Sequence, residues 1–245
     1  MRASQPPAAP GEPHVSVVVP ARDAEEHLGA SLESVLGQTH APLEVIVVED
    51  GSEDSTAELA RSFGERVRVL QFERGLGPAA ARNRGVAATR GEMIAFNDSD
   101  DLWHPQKLER QLRCFAMNPR LDCCFTHLEL FWDEGAAWEE AAVRERAPAR
   151  ADDVPGYAAI TLLARRSAFE RVGDLEEDRR HSDVVEWVLR ARELGVEIEV
   201  LEEVLVRHRR RPGSLSRDVD RGAGEFLALV RERIERRRRA DGGGA

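Results

Sequence analysis

Short apolar runs alternate with amphipathic segments over the first half of the chain. Four runs are mainly apolar and stop at polar clusters, which predicts buried strands at residues 15–19, 43–48, 67–72 and 92–96. Apolar residues recur at helical spacing between them, in segments 25–36, 55–63 and 79–89. This alternation predicts an α/β fold, with a mostly parallel, doubly wound sheet flanked by helices on both faces.

The pattern is less regular after residue 104. It predicts helices at 105–117, 167–172 and 183–194, and strands at 123–131, 158–163 and 196–206. Residues 135–153 are charged and alanine-rich, and we interpret them as a connection. Residues 1–13 are rich in Pro and Ala and lack the apolar stretch of a signal peptide, so we expect a disordered tail.

Polar turns follow three of the predicted strands, at Arg22-Asp23, Glu49-Asp50 and residues 98–101. In open α/β sheets, ligands bind outside the carboxyl ends of the strands, so these turns should share one crevice. The last of them, Asp98-Ser99-Asp100-Asp101, can aim two carboxylates at one hard cation. Acidic turns also occur as Asx-turns and helix N-caps, so this motif alone does not distinguish a metal site from a structural turn.

Composition narrows the class of protein. The 45 acidic residues outnumber the 35 basic ones and give a formal net charge of -10, which argues against nucleic-acid binding through phosphate neutralisation. The three cysteines, Cys114, Cys123 and Cys124, form no C-x-x-C pair, so we expect neither disulfides nor structural zinc, and a cytoplasmic location. No apolar window approaches the roughly 20 residues of a spanning helix, so we expect no transmembrane segment.

Five motifs, in order and spacing, resemble those of the family 2 glycosyltransferases of the GT-A fold. They lie at residues 15–20, 32–39 (Leu-Glu-Ser-Val-Leu-Gly-Gln-Thr), 47–52 (Val-Val-Glu-Asp-Gly-Ser), 80–85 (Ala-Ala-Arg-Asn-Arg-Gly) and 94–103 (Ile-Ala-Phe-Asn-Asp-Ser-Asp-Asp-Leu-Trp). The resemblance is close as far as about residue 112 and thinner from there to 216. It implies an inverting transfer of a sugar from a nucleotide-diphosphate donor, expected to be a UDP-sugar, to a hydroxyl of a glycan, small molecule or peptide.

The resemblance also implies roles for individual residues. Contacts to the nucleotide-sugar are expected from strand-end and helix residues, namely Pro20, Arg22, Glu49, Asp50, Arg84 and Asp98. Arg84 is similar to the arginine that approaches the diphosphate. Asp98 and Asp100 match the DxD pair, which holds Mn²⁺ or Mg²⁺ against that diphosphate. Asp183 is the expected general base.

The chain departs from the family pattern at several positions. Asp23 and Glu49 replace the usual Asn and Asp. Val184 stands where the second acid of the family's acidic pair is usual, so either Asp183 serves as the base or the chain is a degenerate member that binds a nucleotide or partner without turnover. Arg211 stands where many members place a histidine, and an arginine there can contact phosphate. We expect His208 to be a strand or loop histidine rather than a displaced ligand.

A dinucleotide-binding enzyme is the rival class. Residues 75–80 (Gly-Leu-Gly-Pro-Ala-Ala) follow a predicted strand, open a helix and precede Asp98 by about 18 residues, as in the GxGxxG/A fingerprint. That fingerprint belongs to the first βα turn of such folds, whereas two strand–helix units come before it here. We therefore favour the glycosyltransferase.

We expect four regions along the chain: the tail at 1–13, a nucleotide-sugar-binding half at 14–115, a smaller acceptor-binding half at 116–216, and an arginine-rich helix with a Gly-rich end at 217–245. The helix predicted within 225–239 either packs on the domain or makes peripheral contact with an anionic membrane. Glu225, Glu232 and Glu235 interrupt its basic face, which favours packing.

Overall fold

The computed structural model describes residues 13–146, 152–179 and 182–211, together with positions 224, 225, 228, 229 and 231. The predicted tail, apart from Pro13, and most of the predicted C-terminal helix lie outside the described residues.

The elements alternate between strand and helix along the first half of the chain. The strands are β1 (Val15–Ala21), β2 (Glu44–Asp50), β3 (Val67–Phe72), β4 (Met93–Phe96), β5 (Leu102–Trp103), β6 (Cys123–Trp132), β7 (Val154–Pro155), β8 (Leu163–Arg165) and β9 (Ile198–Arg210). The helices are α1 (Leu28–Leu36), α2 (Thr56–Ser62), α3 (Pro78–Ala88), α4 (Lys107–Met117), α5 (Ala137–Arg146), α6 (Arg166–Val172) and α7 (Asp183–Glu193).

The described strands form one mixed sheet in the order β3-β2-β1-β4-β8-β6-β9-β5, with β7 paired to β6. The four strands β3, β2, β1 and β4 are parallel, and Val18 of β1 lies between Ile46 and Phe96 of its two neighbours. β8 joins β4 in the antiparallel sense, whereas β6 and β9 run parallel to each other. The carboxyl ends of β1, β2 and β4 therefore lie along one edge, which we call the strand-end edge.

Helices cover both faces of this sheet, as the alternation predicts. Val17 and Val19 of β1 belong to a buried cluster with Leu28 and Leu32 of α1. Val18 belongs to a second cluster, which contains side chains of α3, α6 and α7. Two separate cores, one on each face, confirm the predicted three-layer α/β architecture.

Helix α3 packs very closely on β1 at Gly85. A Cβ atom at this position would lie 2.2 Å from Val18 Cγ1. Only glycine lets the two backbones approach to this distance, because any other side chain would displace Val18 from the core. This approach fixes the position of α3, the helix that carries Arg82 to Asp98 at the strand-end edge.

Three predictions for the second half of the chain differ from the structure. Residues 158–163 do not form one strand, because Ala159–Thr161 is a 3-10 turn and the strand begins only at Leu163. The Thr161 hydroxyl bonds the Gly156 carbonyl at 2.7 Å, which stabilises the turn. The connection expected at 135–153 contains helix α5, and the last strand continues four residues beyond the predicted end at 206, to Arg210.

Candidate functional site

The turns after β1 and β2 interlock at the strand-end edge. Asp23 adopts a φ of 47°. Its backbone N–H donates to Ser52 Oγ at 3.1 Å, and its Oδ1 accepts from the Glu53 N–H at 2.9 Å. Aspartate tolerates this left-handed backbone because its short side chain bonds locally. The first two of the three polar turns are therefore in direct contact.

Asp50 and Arg22 are engaged with the loop that precedes α3. The Asp50 carboxylate accepts the backbone N–H of Leu76 at 2.9 Å and that of Gly77 at 2.8 Å. A Cβ atom on Gly75 would lie 2.0 Å from Arg22 Nη1, so the guanidinium rests against this loop. Both residues lie at the strand-end edge, where Asp50 holds a loop and the Arg22 side chain is 55% exposed.

Pro20 on β1 and Glu49 on β2 lie on neighbouring strands at the strand-end edge. Glu49 is 1% exposed, and its Oε1 accepts the Ser52 N–H. Its Oε2 is buried without a hydrogen-bond donor among the described residues. An unpaired buried acceptor costs free energy, and a ligand that brings an N–H to this atom relieves that cost. Pro20, half-buried, pairs in register with Val48.

Hydrogen bonds to buried side chains hold the backbone of the acidic turn, residues 98–101. Ser31 Oγ donates to the Asp98 carbonyl at 2.9 Å and accepts from Asn97 Nδ2 at 3.0 Å. The backbone N–H of Asp101 donates to the Asp98 carbonyl at 3.2 Å. These bonds fix the turn backbone, so the Asp98 and Asp100 side chains start from set positions.

One buried arginine joins the acidic turn to helix α7. Arg82, on α3, donates from Nη2 to Asp98 Oδ1 at 2.7 Å and from Nη1 to Asp183 Oδ2 at 2.9 Å. Arg82 is 7% exposed. Burial opposes its charge, but the carboxylates of Asp98 and Asp183 raise its pKa above the ordinary value. The bridge brings together two of the predicted site residues that are 85 positions apart in the sequence.

Asp183 is the first residue of α7 and is 6% exposed. Burial raises its pKa above the ordinary value, although the Arg82 guanidinium acts in the opposite direction. Val184, at the position of the missing second acid, is 5% exposed and packs in the hydrophobic core with Trp187. At the start of α7, Asp183 is therefore the carboxylate that Arg82 links to the acidic turn.

The structure does not join Arg84, the arginine predicted to approach the diphosphate, to the acidic turn. Its Nη1 contacts the Ala80 carbonyl at 3.1 Å and Glu177 at 3.2 Å, and its guanidinium stacks over Phe72. Sequence reasoning missed Arg82, two residues earlier on the same helix. Residues i and i+2 of a helix lie on different faces, so only one of the two arginines can meet Asp98.

The end of β9 contacts the other half of the acidic turn. His208 Nδ1 lies 3.0 Å from both Asp101 carboxylate oxygens, and Arg209 donates its backbone N–H to Asp101 Oδ1 at 2.7 Å. Arg209 Nε donates to the Asp100 carbonyl at 2.9 Å, and Arg211 Nε donates to Asp100 Oδ2 at 2.9 Å. His208 is therefore a strand histidine, as expected, and it also binds the acidic turn.

The Asp101 carboxylate is fully buried, and the His208 side chain beside it is 21% exposed. Burial raises the pKa of Asp101 to about 6, although His208 acts against this shift. Burial lowers the basicity of His208, but the Asp101 carboxylate prevails and raises the pKa of His208 to about 8. The pair is consequently a charged contact at neutral pH, and it fastens β9 to the turn.

The carboxylates of Asp98 and Asp100 fit part of a divalent cation's requirements. Each has one oxygen bonded to an arginine and a second oxygen without a partner among the described residues. Within those residues, no group of three or more His, Cys, Asp or Glu side chains is arranged to hold a metal. Mg²⁺ and similar cations are often held by one or two carboxylates together with substrate phosphates, so this donor set suits a cation that arrives with a diphosphate.

Three further observations concern the remaining predictions. The three cysteines are free and buried. In the part of the chain that the structure describes, no helix is long and apolar enough to cross a membrane. Glu225, from the predicted C-terminal helix, lies 3.3 Å from Ser182 Oγ, and Leu229 is buried.

Solved structures share the fold of this chain. TarS of S. aureus (residues 1–349), in complex with UDP-GlcNAc, superposes with a TM-score of 0.67 over 84% of this chain at 20% identity. The chain spans 61% of that structure. This likeness shows the GT-A glycosyltransferase fold.

The sequence comparisons give the family. The model of glycosyl transferase family 2 matches residues 16–173, and the chain belongs to this family. TuaG of Bacillus subtilis, a glycosyltransferase assigned to teichuronic acid biosynthesis, is 29% identical over 92% of this chain and 90% of its own length. The glucosyltransferase WfgD of Escherichia coli, named as acting from UDP-Glc on GlcNAc-diphosphoundecaprenol, is 40% identical over 42% of each chain. The resemblance to family 2 glycosyltransferases is confirmed.

Proposed function

We propose that this chain transfers a sugar, with inversion, from a UDP-sugar to an acceptor hydroxyl, and that Asp183 is the general base. The observation that carries the proposal is the Arg82 bridge, which links Asp98 on the donor side to Asp183 at the start of α7. The chain thereby holds in one cluster a carboxylate for the leaving group and a buried carboxylate for the incoming hydroxyl. The acceptor class, whether glycan, small molecule or peptide, stays open, and a cytoplasmic location stays a prediction.

The donor nucleotide would lie along the strand-end edge. The buried Glu49 Oε2 is an acceptor without a protein donor among the described residues, and the uracil N3–H is a donor of matching chemistry. Pro20, Arg22 and Asp50 surround the same edge and would form the walls of the nucleoside site. TarS, solved in complex with UDP-GlcNAc, and WfgD, named for UDP-Glc, support a UDP-sugar donor.

The diphosphate would lie against the acidic turn. Asp98 and Asp100 would hold Mn²⁺ or Mg²⁺ there, and the bound cation would neutralise negative charge on the departing diphosphate. Arg82 keeps Asp98 oriented, because its guanidinium occupies one carboxylate oxygen and leaves the other toward the site. Arg84 stays a prediction as a diphosphate contact, since its contacts in the structure are with Glu177 and Phe72.

The transfer step assigns Asp183 one task. As the acceptor oxygen forms its bond to the anomeric carbon, the hydroxyl proton moves to the Asp183 carboxylate. The bond between the anomeric carbon and the diphosphate oxygen breaks, and its electron pair leaves with UDP. Burial raises the pKa of Asp183, which increases its affinity for that proton.

A second candidate function is nucleotide binding without turnover. It is favoured by one observation: Val184 is part of the hydrophobic core at the position of the second acid, so only one carboxylate of the usual pair is available. Both functions predict UDP binding. They differ in whether the bond to the sugar is broken.

The test measures UDP release from a panel of UDP-sugars in the presence of Mn²⁺, with water and with glycan, small-molecule and peptide acceptors. Removal of a general base commonly costs about 10² to 10⁴ in rate, so we expect Asp183→Asn to lose at least 10²-fold while it still binds UDP. Asp122→Asn is the matched control. Asp122 also pairs with an arginine, Arg171 at 2.6 Å, but it precedes β6 at the opposite edge of the sheet.

Three results discriminate between the functions. Release by the wild type and the control, with loss in Asp183→Asn, supports the transferase with this base. Equal release by all three proteins refutes the role of Asp183. UDP binding without release from any donor or acceptor supports the second candidate function.

A further inference from the structure

The carboxylates of the acidic turn are already matched with positive charge from the protein. Asp98 pairs with Arg82 at 2.7 Å, and Asp100 pairs with Arg211 at 2.9 Å. A divalent cation bound to the same carboxylates would lie close to two guanidinium groups that are already paired with them. The arrangement therefore differs from an acidic pair that awaits a metal as its only counter-charge.

The contact between Arg211 and Asp100 is part of a built arrangement. Arg211 is the next residue after β9 ends at Arg210, and the end of β9 is fastened to the turn by His208 and Arg209. The Asp101 carboxylate that receives two of these bonds is fully buried. Arg211 is thus delivered to Asp100 by a fixed strand end.

Arg211 has donors left for a ligand. Its Nε is bonded to Asp100, whereas its Nη1 and Nη2 groups make no hydrogen bond to a described residue. The Arg211 side chain is 33% exposed and Asp100 is 17% exposed, so the pair is open to solvent. A guanidinium presents planar paired donors that match phosphate oxygens. Arg82 differs, because both of its terminal nitrogens are bonded to carboxylates.

We propose that Arg211 binds the donor diphosphate directly and competes with the divalent cation for Asp100. This inference rests on the proposed function, since it requires a nucleoside diphosphate at the acidic turn. A cation that takes the Asp100 oxygen held by Arg211 must displace the guanidinium. A cation that takes the other oxygen must bind close to a like charge, which weakens its binding. Nucleotide binding therefore keeps a component that needs no metal.

Two binding measurements test this without reference to turnover. Calorimetry measures the affinity for UDP, GDP, ADP and dTDP in EDTA, and electron paramagnetic resonance measures Mn²⁺ binding in the absence of nucleotide. We expect the wild type to bind one nucleoside diphosphate in EDTA and Arg211→Gln to bind it about 10- to 100-fold more weakly, as is usual for a lost charge-assisted bond. Arg211→Gln should bind Mn²⁺ about 10-fold more tightly than the wild type, because a like charge has been removed.

Two further variants separate charge from structure. Arg207→Gln is the control, since Arg207 is on the same strand and pairs with Glu129 at 2.7 Å away from the acidic turn, and both affinities should match those of the wild type. Arg211→Lys keeps the charge and should recover part of the nucleotide affinity in EDTA.

The outcomes distinguish this inference from the proposed function. Nucleotide binding that requires metal equally in the wild type and in Arg211→Gln, with unchanged Mn²⁺ affinity, overturns the role of Arg211 alone. Absence of nucleoside diphosphate binding in every variant, with or without Mn²⁺, overturns the proposed function and this inference with it.

Discussion

Replacement of Arg82 by glutamine tests the bridge on which the candidate site depends. In the wild type, one guanidinium satisfies Asp98 at 2.7 Å and Asp183 at 2.9 Å. The variant leaves these two carboxylates without their shared cation, and Asp183 is 6% exposed, so water only partly compensates. Removing one partner of a buried ion pair commonly costs about 3–5 kcal/mol. For a chain of this size, that corresponds to a fall in Tm of roughly 6–20 °C.

The neighbouring Arg84→Gln variant is the matched control. Arg84 is on the same helix and also pairs with a carboxylate, Glu177 at 3.2 Å, but both side chains are substantially exposed. Exposed pairs contribute about 0–1 kcal/mol, so the free energy of unfolding of this variant should stay within about 1 kcal/mol of the wild type. Urea unfolding and thermal melts of the three proteins, at equal concentration and pH, measure the difference.

The pH dependence gives a second readout. The folded-state pKa of Asp183 is already raised, so its folded form binds a proton more readily than its unfolded form above the ordinary value of 3.8. Such a group stabilises the fold less as pH rises. Loss of Arg82 removes the cation that limits this shift, so the stability deficit of Arg82→Gln should shrink as pH falls toward 4. A deficit no larger than that of Arg84→Gln, or one independent of pH, would refute the bridge as an energetic link.

Two other variants address packing and a buried charge. Gly85→Ala places a Cβ 2.2 Å from Val18 Cγ1 and should cost about 1–3 kcal/mol in urea unfolding, with partial recovery in the Gly85→Ala/Val18→Ala double variant; an unchanged midpoint would contradict the close packing of α3. Lys107 is fully buried, and burial lowers its pKa to about 7. Between pH 7 and 10 its unfolded form binds more protons than its folded form, so wild-type stability gains up to about 1.4 kcal/mol per pH unit from this group. Unfolding of Lys107→Met should lack that gain, and an identical pH slope in the two proteins would show that Lys107 stays charged.

The sequence predicts most of the parallel half of the sheet because each strand there is an apolar run that ends at a polar turn. Strand β3 has the predicted bounds, and β1 and β2 differ from prediction by one to two residues at their ends. In 158–163, the short apolar run was equally compatible with a turn, and bonds of the Thr161 hydroxyl to two carbonyls favour the turn. Those carbonyls, of Gly156 and Ala158, lie only five and three positions before Thr161, but the alternation of apolar residues takes no account of the hydroxyl.

In the candidate site, too, the sequence predicts the position of some residues but not the contacts of others. The residues of the acidic turn lie where the end of a strand in an α/β sheet places them, so topology alone locates the turn. The metal-binding role of Asp98 and Asp100 stays a prediction that rests on the family resemblance. The choice between Arg82 and Arg84 depends on the rotation of α3 about its axis, which is set by the approach of Gly85 to Val18. The partners of Asp101 lie more than 100 positions away in the chain, and no spacing rule connects them.

The fastening of β9 to the acidic turn has a consequence for how the protein matures. A growing chain that has reached the end of α4 at Met117 already contains the acidic turn and the parallel strands, but not His208, Arg209 or Arg211. Contacts that close loops of about 110 residues form only after that loop entropy is overcome, and synthesis delivers the last strand late. The contacts that hold the acidic turn should therefore be completed in one late step, when β9 inserts between β6 and β5.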